Sequence, residues 1–341
     1  MYVKRNLTPG FVLRYTWPSI LWTTAYTSAV FIAFFAFDVK WIDIPFDLVS
    51  AVGIAVAFLI GFKNNQAYDR FWEGRKIWGQ IVNYSRVWAA QSISLVKAPA
   101  CNDIDVPDVQ RTLVHRHLAW INALRIQLRQ PNAFAVRENI LVERLVAKHD
   151  PGESVLGTIA PFVSDEEREA LSGRKNIATH LVKRQAQDLA DLRRAGAIDG
   201  FDQLMMMETL EKAYDLQGMC ERIKNTPFPR RFAFFSHMFT VLFCLLLPLG
   251  FVDVFEREIA TGAASELNPW IQYAKIPLAV PTSWIFLTWE TVGNSSEDPF
   301  EGRPHDVSMT ALCRTIEIDL RDMLDERSLP GPVAPKDHVL Y

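Results

Sequence analysis

Few side chains in this 341-residue sequence are of the types that do chemistry, and their spacing assembles no familiar catalytic site. His115 and His117 stand two apart, which turns them to different faces of a helix. They make a poor metal pair and read as ordinary polar helix residues. His237 is the one ionisable group inside a long apolar run. Such a group is either functional or a neutral imidazole hydrogen-bonded to a neighbouring helix. Cys101, Cys220, Cys244 and Cys313 are dispersed, without a CxxC pair, so neither a disulfide framework nor a zinc site is expected. Glycine-rich phosphate loops, GxSxG elbows and HExxH pairs are absent. The stretch from Glu297 to Asp306 offers carboxylates of the kind that bind Ca²⁺. Arg303 and Pro304 inside it favour a solvated loop instead. No catalytic residue, metal or cofactor is expected.

A different kind of pattern is present. Ile54, Phe58 and Phe62 recur every four residues, with Gly53 and Gly61 beside them and Lys63, Asn64, Asn65 and Gln66 immediately after. A stripe of this kind packs against another helix, or it lines the wall of a water-filled path. The abrupt change from aromatics to amides and a lysine along one helix is unusual for a lipid-facing surface. It suits the second reading.

The element carrying this stripe is one of four charge-free apolar runs: Tyr15–Phe37, Leu48–Phe62, Phe232–Val252 and Ile276–Trp289. They form two pairs around a polar block of roughly 170 residues. The first and third, 23 and 21 residues long, match the ~20 residues of helix that cross a bilayer core. The second and fourth have 15 and 14 residues, roughly 22 Å of helix. Each is joined to a full-length run by a short loop, so we read both as spans whose polar ends sit in protein or water. A whole-chain composition of 49% hydrophobic and 22% charged residues hides this, because it averages a membrane part with a hydrophilic one. The net charge of −3 gives no support to nucleic-acid binding. The first run is too long for a signal peptide and lacks a small-residue cleavage site.

Lys and Arg flank the cytoplasmic ends of spans. Lys4, Arg5 and Arg14 precede the first run; Lys63, Arg70, Arg75 and Lys76 follow the second; Arg222, Lys224, Arg230 and Arg231 precede the third. The loops within the pairs are acid-rich, with Asp38, Asp43 and Asp47 in one and Asp253, Glu256, Glu258 and Glu266 in the other. Only the flank after Trp289, with Glu290, Glu297, Asp298 and Glu301, dissents. Both termini and the central block are thus expected in the cytoplasm. The organisation expected is 1–62 with two spans, a helical cytoplasmic region over 63–231, two more spans over 232–290, and a cytoplasmic segment and tail over 291–341.

The polar block reads as helical throughout. Trp78, Ile81, Ser85, Trp88, Ser92 and Leu95 follow 3-4 spacing, so the second span is predicted to run on into the cytoplasm as one helix. Val114, Leu118, Ile121, Leu124 and Leu128 form another stripe. Ser164 and Glu167 make a capping-box pattern closed by Gly173. Further helices are predicted from about Asn176 to Ala195 and from about Phe201 to Ile223, and Pro227 and Pro229 break the chain before the third span. From Leu329 the tail is expected to be extended or disordered.

The segment Gly61-Phe62-Lys63-Asn64-Asn65-Gln66-Ala67-Tyr68-Asp69-Arg70-Phe71-Trp72-Glu73-Gly74-Arg75-Lys76-Ile77-Trp78-Gly79 resembles the signature of the bacterial bestrophin family. Trp17-Pro18-Ser19-Ile20, Cys220-Glu221-Arg222-Ile223-Lys224-Asn225-Thr226-Pro227 and Ala311-Leu312-Cys313-Arg314-Thr315-Ile316-Glu317 are similar to it too, in the expected order. The resemblance implies an all-α integral membrane protein with four transmembrane helices per subunit and a large helical cytoplasmic part. Five copies would surround a central pore in the bacterial inner membrane. The family's hydrophobic neck falls on Ile54, Phe58 and Phe62, with Lys63, Asn64 and Asn65 lining the pore below it. The family's cytoplasmic aperture falls at Leu210, counted back from Pro229. The calcium clasp of animal bestrophins maps to Ser295, Asp298, Arg303 and Asp306 with the backbone near Val3. Arg303 replaces a carboxylate there and Ser295 an amide, which counts against calcium gating. Tyr68, Asp69, Arg70 and Glu73 are expected to form a buried ion-pair network that holds the helix at the pore.

The implied partners are four further copies of the chain, the lipid bilayer and small permeating inorganic ions. Three stacked apolar rings would control flow by dewetting and by the cost of stripping ion hydration. Aromatic edges turned to the axis are positive and favour small anions such as chloride, and Lys63 would add to this. A sodium-conducting channel of the same family, a membrane-bound enzyme using His237, and a non-conducting scaffold are the competing readings.

Overall fold

One helix organises the molecule: α2, Phe46–Leu95, continuous for 50 residues, or about 75 Å. No proline interrupts it, and its burial changes character along its length. The computed structural model describes all residues except 5, 7, 43, 100–103, 132–152 and 261–274. Arg5, Asp43, Cys101 and Glu266 therefore lie outside the described residues. Before α2 comes α1, Pro9–Ala36, and a single 3-10 turn over Lys40–Ile42. After it come α3, Val106–Arg129; α4, Val155–Ile159; α5, Asp165–Leu171; α6, Ile177–Ala195; and α7, Gly200–Asn225. The last three are α8, Arg230–Ala260; α9, Lys275–Ser296; and α10, Met309–Met323. Among the described residues there is no strand beyond isolated bridges near the two termini.

The upper half of α2 packs against α8 and α9, and α1 lies against both of these. Val49, Val56 and Ile60 meet Phe243, Cys244, Leu247 and Leu287 in one apolar cluster, and Phe31 and Phe34 meet Val252 in a second. Gly53 lets α2 and α8 approach closely, since a Cβ there would stand 2.7 Å from the Phe243 ring. Among the described residues, three stretches are long and apolar enough to cross a membrane: Tyr15–Ala36, part of Phe46–Leu95, and Arg230–Val254. α9 has 22 residues but carries Thr282, Ser283, Thr288 and Glu290. Pro18, Pro248 and Pro281 sit inside α1, α8 and α9. Membrane-type helices tolerate such breaks because neighbouring groups satisfy the freed carbonyls.

The lower half of α2 enters a second, larger core. Trp78, Ile81, Ser85, Trp88 and Ser92 are buried, and Leu95 packs at the edge, as the 3-4 stripe requires. The α3 stripe is buried whole, together with Arg116, His117, Trp120 and Arg125 between its members. Burying each Leu or Ile here contributes roughly 1.5–3 kcal/mol. The helix ends fall where the sequence places them. Asn176 caps α6 by accepting from Thr179 N (3.1 Å), and Gly196 closes it at φ 79°. Asp199 forms a reciprocal capping box on α7. At α5 only half of the expected box exists: Ser164 Oγ accepts from Glu167 N (3.2 Å), while the Glu167 carboxylate turns to Arg116 Nε (2.6 Å). A buried guanidinium competes better for that carboxylate than a solvated backbone N–H does.

The tail ends in an ordered structure. Val3 N donates to His338 O (2.9 Å), Leu340 N to Met1 O (2.8 Å) and Ala311 N to Tyr341 O (2.8 Å). The two chain ends are therefore tied to each other and to the start of α10.

Candidate functional site

On α2 the stripe Ile54, Phe58 and Phe62 faces out of the subunit, with 62%, 65% and 60% of each residue exposed. The Phe58 and Phe62 rings lie 6.5 Å apart at 29°. The stripe spans about 12 Å along the axis. Val56, Ile60, Lys63 and Ala67 bury the opposite side. A contiguous apolar surface of this kind on a helix anchored behind it marks an interface or a lined passage.

The polar residues after the stripe separate. At about 100° per residue, Lys63 points roughly opposite to Ile54, and it is fully buried. Its Nζ lies 2.6 Å from Glu290 Oε1 and also donates to Asn294 Oδ1, with Glu297 3.9 Å away. Ser236 Oγ donates to the other Glu290 oxygen (3.1 Å). Lys63, expected to line the pore, instead ties α2 to α8 and α9. Gly293 makes room for this, since a Cβ there would collide with Asn64. Asn64 is half-buried and its Nδ2 donates to Trp289 O (3.2 Å). Only Asn65 of the three stays on the exposed face, and Asp69 joins it one turn on.

Leu210, expected at a cytoplasmic aperture, is 2% exposed and belongs to the larger core around the lower half of α2. Counting from Pro229 gave a position on the buried side of α7, where Met206, Thr209, Ala213 and Leu216 also point inward. The exposed apolar residues of this helix are Phe201, Leu204, Met205, Met207, Tyr214 and Met219. The network expected at Tyr68, Asp69, Arg70 and Glu73 is not buried. Tyr68 is exposed and stacks on Trp72 (6.4 Å, 6°), and Glu73 pairs with Arg222 at the surface (2.5 Å). Arg70 does clamp elements together, through carbonyls: Nε donates to Glu297 O (2.9 Å), Nη2 to Ile223 O and Thr226 O (3.0 Å each).

The three histidines have no common site. His237 is exposed on α8. His115 meets Glu326 Oε1 at 2.6 Å. His117 is packed between Trp88 and Trp120 and lies 2.9 Å from Ser85 Oγ; burial pushes its pKa down to about 3. Burial likewise raises the Cys220 thiol far above its ordinary value and that of Cys313 to about 12, which leaves both inert.

The residues of the degenerate clasp do not fit a calcium cage. Ser295 Oγ donates to Val292 O (2.9 Å), and the Asp298 carboxylate faces Arg70 (3.8 Å). Asp306 accepts from Arg303 N (2.9 Å), and burial raises its pKa to about 7. Val3 N is taken by His338 O. With an arginine among these groups, and with the carboxylates of Asp298 and Asp306 turned to Arg70 and to Arg303 N, they lack the free charge such an ion needs.

Comparison with known proteins agrees with this architecture. The family model described as bacterial/fungal bestrophin protein matches residues 6–322. A voltage-dependent anion channel-forming protein of Mesorhizobium japonicum is 29% identical, over 97% of this chain and 92% of its own. One from Escherichia coli K12 is 27% identical over 88% and 83%. A crystal structure of a bacterial bestrophin homologue from Klebsiella pneumoniae superposes with TM-score 0.72 at 23% identity, covering 91% of this chain and 98% of that one. With its apolar helices and this match across nearly its full length, the chain is a membrane protein belonging to the bacterial and fungal bestrophin family.

Proposed function

We propose that the chain is one subunit of a homopentameric channel that passes small monovalent anions such as chloride. The observation that carries this reading is the outward stripe of Ile54, Phe58 and Phe62 on a helix whose reverse side is fixed by buried packing and an ion pair. Closed rotational symmetry turns one such stripe into stacked apolar rings around an axis. A neck of that kind passes ions only when wetted and offers no strong binding site to hold them. Four spans per subunit, the helical region of 63–231 below them, and both termini on the cytoplasmic side of the inner membrane complete the reading. The joined chain ends support an even number of crossings. The names of the Mesorhizobium and Escherichia relatives support anion passage.

One observation favours a cation-conducting reading. Asp69 is exposed, and its helical angle falls between those of Phe58 and Phe62. A ring of five carboxylates would therefore stand below the neck, where Lys63 supplies no charge. Purified protein reconstituted in planar bilayers decides between the two. Under a potassium chloride gradient with gluconate as counter-anion, and then a sodium gradient, the reversal potential is expected to follow chloride in both the parent and Asp69→Asn. A potential that follows sodium, and that Asp69→Asn moves toward chloride, would overturn the anion assignment. Recordings silent under every ionic condition would favour a non-conducting scaffold.

A further inference from the structure

Between α3, α4 and α10 lies a polar cavity of about 410 Å³, to which α2 contributes no residue. Four of its wall residues are arginines: Arg111, Arg125, Arg314 and Arg321. Arg125 is buried, with a side chain 4% exposed. Its Nη1 pairs with Glu153 (2.8 Å), while its Nε is buried without a hydrogen-bond partner among the described residues. Glu317 is shared by Arg314 and Arg321, each at 3.1 Å. Glu326 is shared by Arg321 (2.7 Å), His115 (2.6 Å) and, more loosely, Arg111 (3.6 Å). Four guanidinium groups thus divide three carboxylates, which leaves a formal positive charge before His115 is counted.

The surplus extends behind the wall. Arg129, one turn beyond Arg125, is half-buried, and its Nε and Nη2 are buried atoms with no hydrogen-bond partner among the described residues. Burial first, and the nearby Arg125 second, lower its pKa, while Glu153 and Asp306 act the other way. An unpaired buried donor carries a desolvation cost that a bound acceptor relieves. A guanidinium fork is the side chain best matched to a carboxylate or phosphate group. A volume near 400 Å³ suits a small organic ligand.

We propose that this cavity binds a small anionic metabolite through a phosphate or carboxylate group, seated between Arg125 and Arg314. The site is separate from the outward face of α2 and does not depend on conduction. Calorimetric titration of the full-length detergent-solubilised protein at constant ionic strength tests it, with inorganic pyrophosphate in one arm and citrate in the other. Saturable binding at one site per subunit is expected in at least one arm, and the arms tell phosphate from carboxylate. Arg314→Gln, at a partly exposed position, is expected to weaken binding at least ten-fold. Arg125→Lys, which keeps the charge and loses the fork, is expected to do the same. Phe58→Ala is expected to leave binding unchanged. Absence of saturable binding in both arms, unchanged affinity in Arg314→Gln, or a loss in Phe58→Ala that places the anion in the conduction path would overturn the proposal.

Discussion

Removing the Lys63 ammonium tests the most consequential departure from sequence expectation. Lys63 has no exposed surface, and the Glu290 side chain retains only 2%. Their 2.6 Å contact is supplemented by Asn294 on one side and Ser236 on the other. Lys63→Met keeps the aliphatic stem and leaves Glu290 buried with the Ser236 hydroxyl alone. Breaking one side of a buried pair in this way costs about 3–5 kcal/mol. Glu290→Gln strands the ammonium in the same manner, with Glu297 too far at 3.9 Å to replace the lost contact fully. The double variant Lys63→Met/Glu290→Gln leaves neither charge stranded and is expected to recover all but about 1–2 kcal/mol. Each kilocalorie moves a melting midpoint by roughly 2 °C in a protein of this size or somewhat smaller. Each single variant should therefore melt about 6–10 °C early in detergent, and the double only a few degrees early. A Lys63→Met protein that melts with the parent, or a double variant as poor as the sum of the singles, would refute the buried pair. It would return Lys63 to the lumen.

Leu210→Ala is expected to lose about 2–5 kcal/mol of stability, as core leucines do, while single-channel conductance stays at the parent value. A changed conductance at unchanged stability would put Leu210 back at a constriction. The pH dependence of stability separates two buried groups of opposite sign. His117, at about 3 when folded against 6.5 when unfolded, withdraws stability as pH falls below 6.5, a loss of about 2 kcal/mol by pH 5. Asp306, at about 7 when folded against 3.8 when unfolded, carries a penalty at neutral pH that is relieved as pH falls from 7 toward 4. The two nearly cancel in the parent. In thermal melts between pH 7 and 5, His117→Gln should gain stability on acidification relative to the parent, and Asp306→Asn should lose it. Parallel profiles for all three proteins would contradict these assignments.

Much of the architecture was legible in the sequence because helical periodicity reports burial directly. The stripe from Trp78 to Ser92 and the stripe from Val114 to Leu128 both face the core. The helices predicted from about Asn176 to Ala195 and from about Phe201 to Ile223 are present as Ile177–Ala195 and Gly200–Asn225. The shared face of Ile54, Phe58 and Phe62 follows from 3.6-fold geometry in the same way, but that it turns outward is visible only in their exposure. Lys63 was misplaced by reading adjacency along the chain instead of angle around the helix; the wheel turns it to the far side. Its partners Glu290 and Asn294 lie more than 220 residues away, so no local pattern announces them. Leu210 failed for a related reason: counting from a distant proline fixes a turn but not a face. Arg70 sits in the best-matched block, yet it binds backbone carbonyls, which carry no sequence signature. The arginine cavity likewise joins side chains of α3 and α10, nearly 200 residues apart.

Single-channel recording of Ile54→Ala, Phe58→Ala and Phe62→Ala, alone and combined, tests the account most directly. Shortening these side chains widens a hydrophobic constriction and makes it easier to wet. Larger unitary currents or altered rectification are expected, with the particle's subunit count unchanged. Currents identical to the parent in the triple variant, or particles without a lumen on the shared axis, would contradict it.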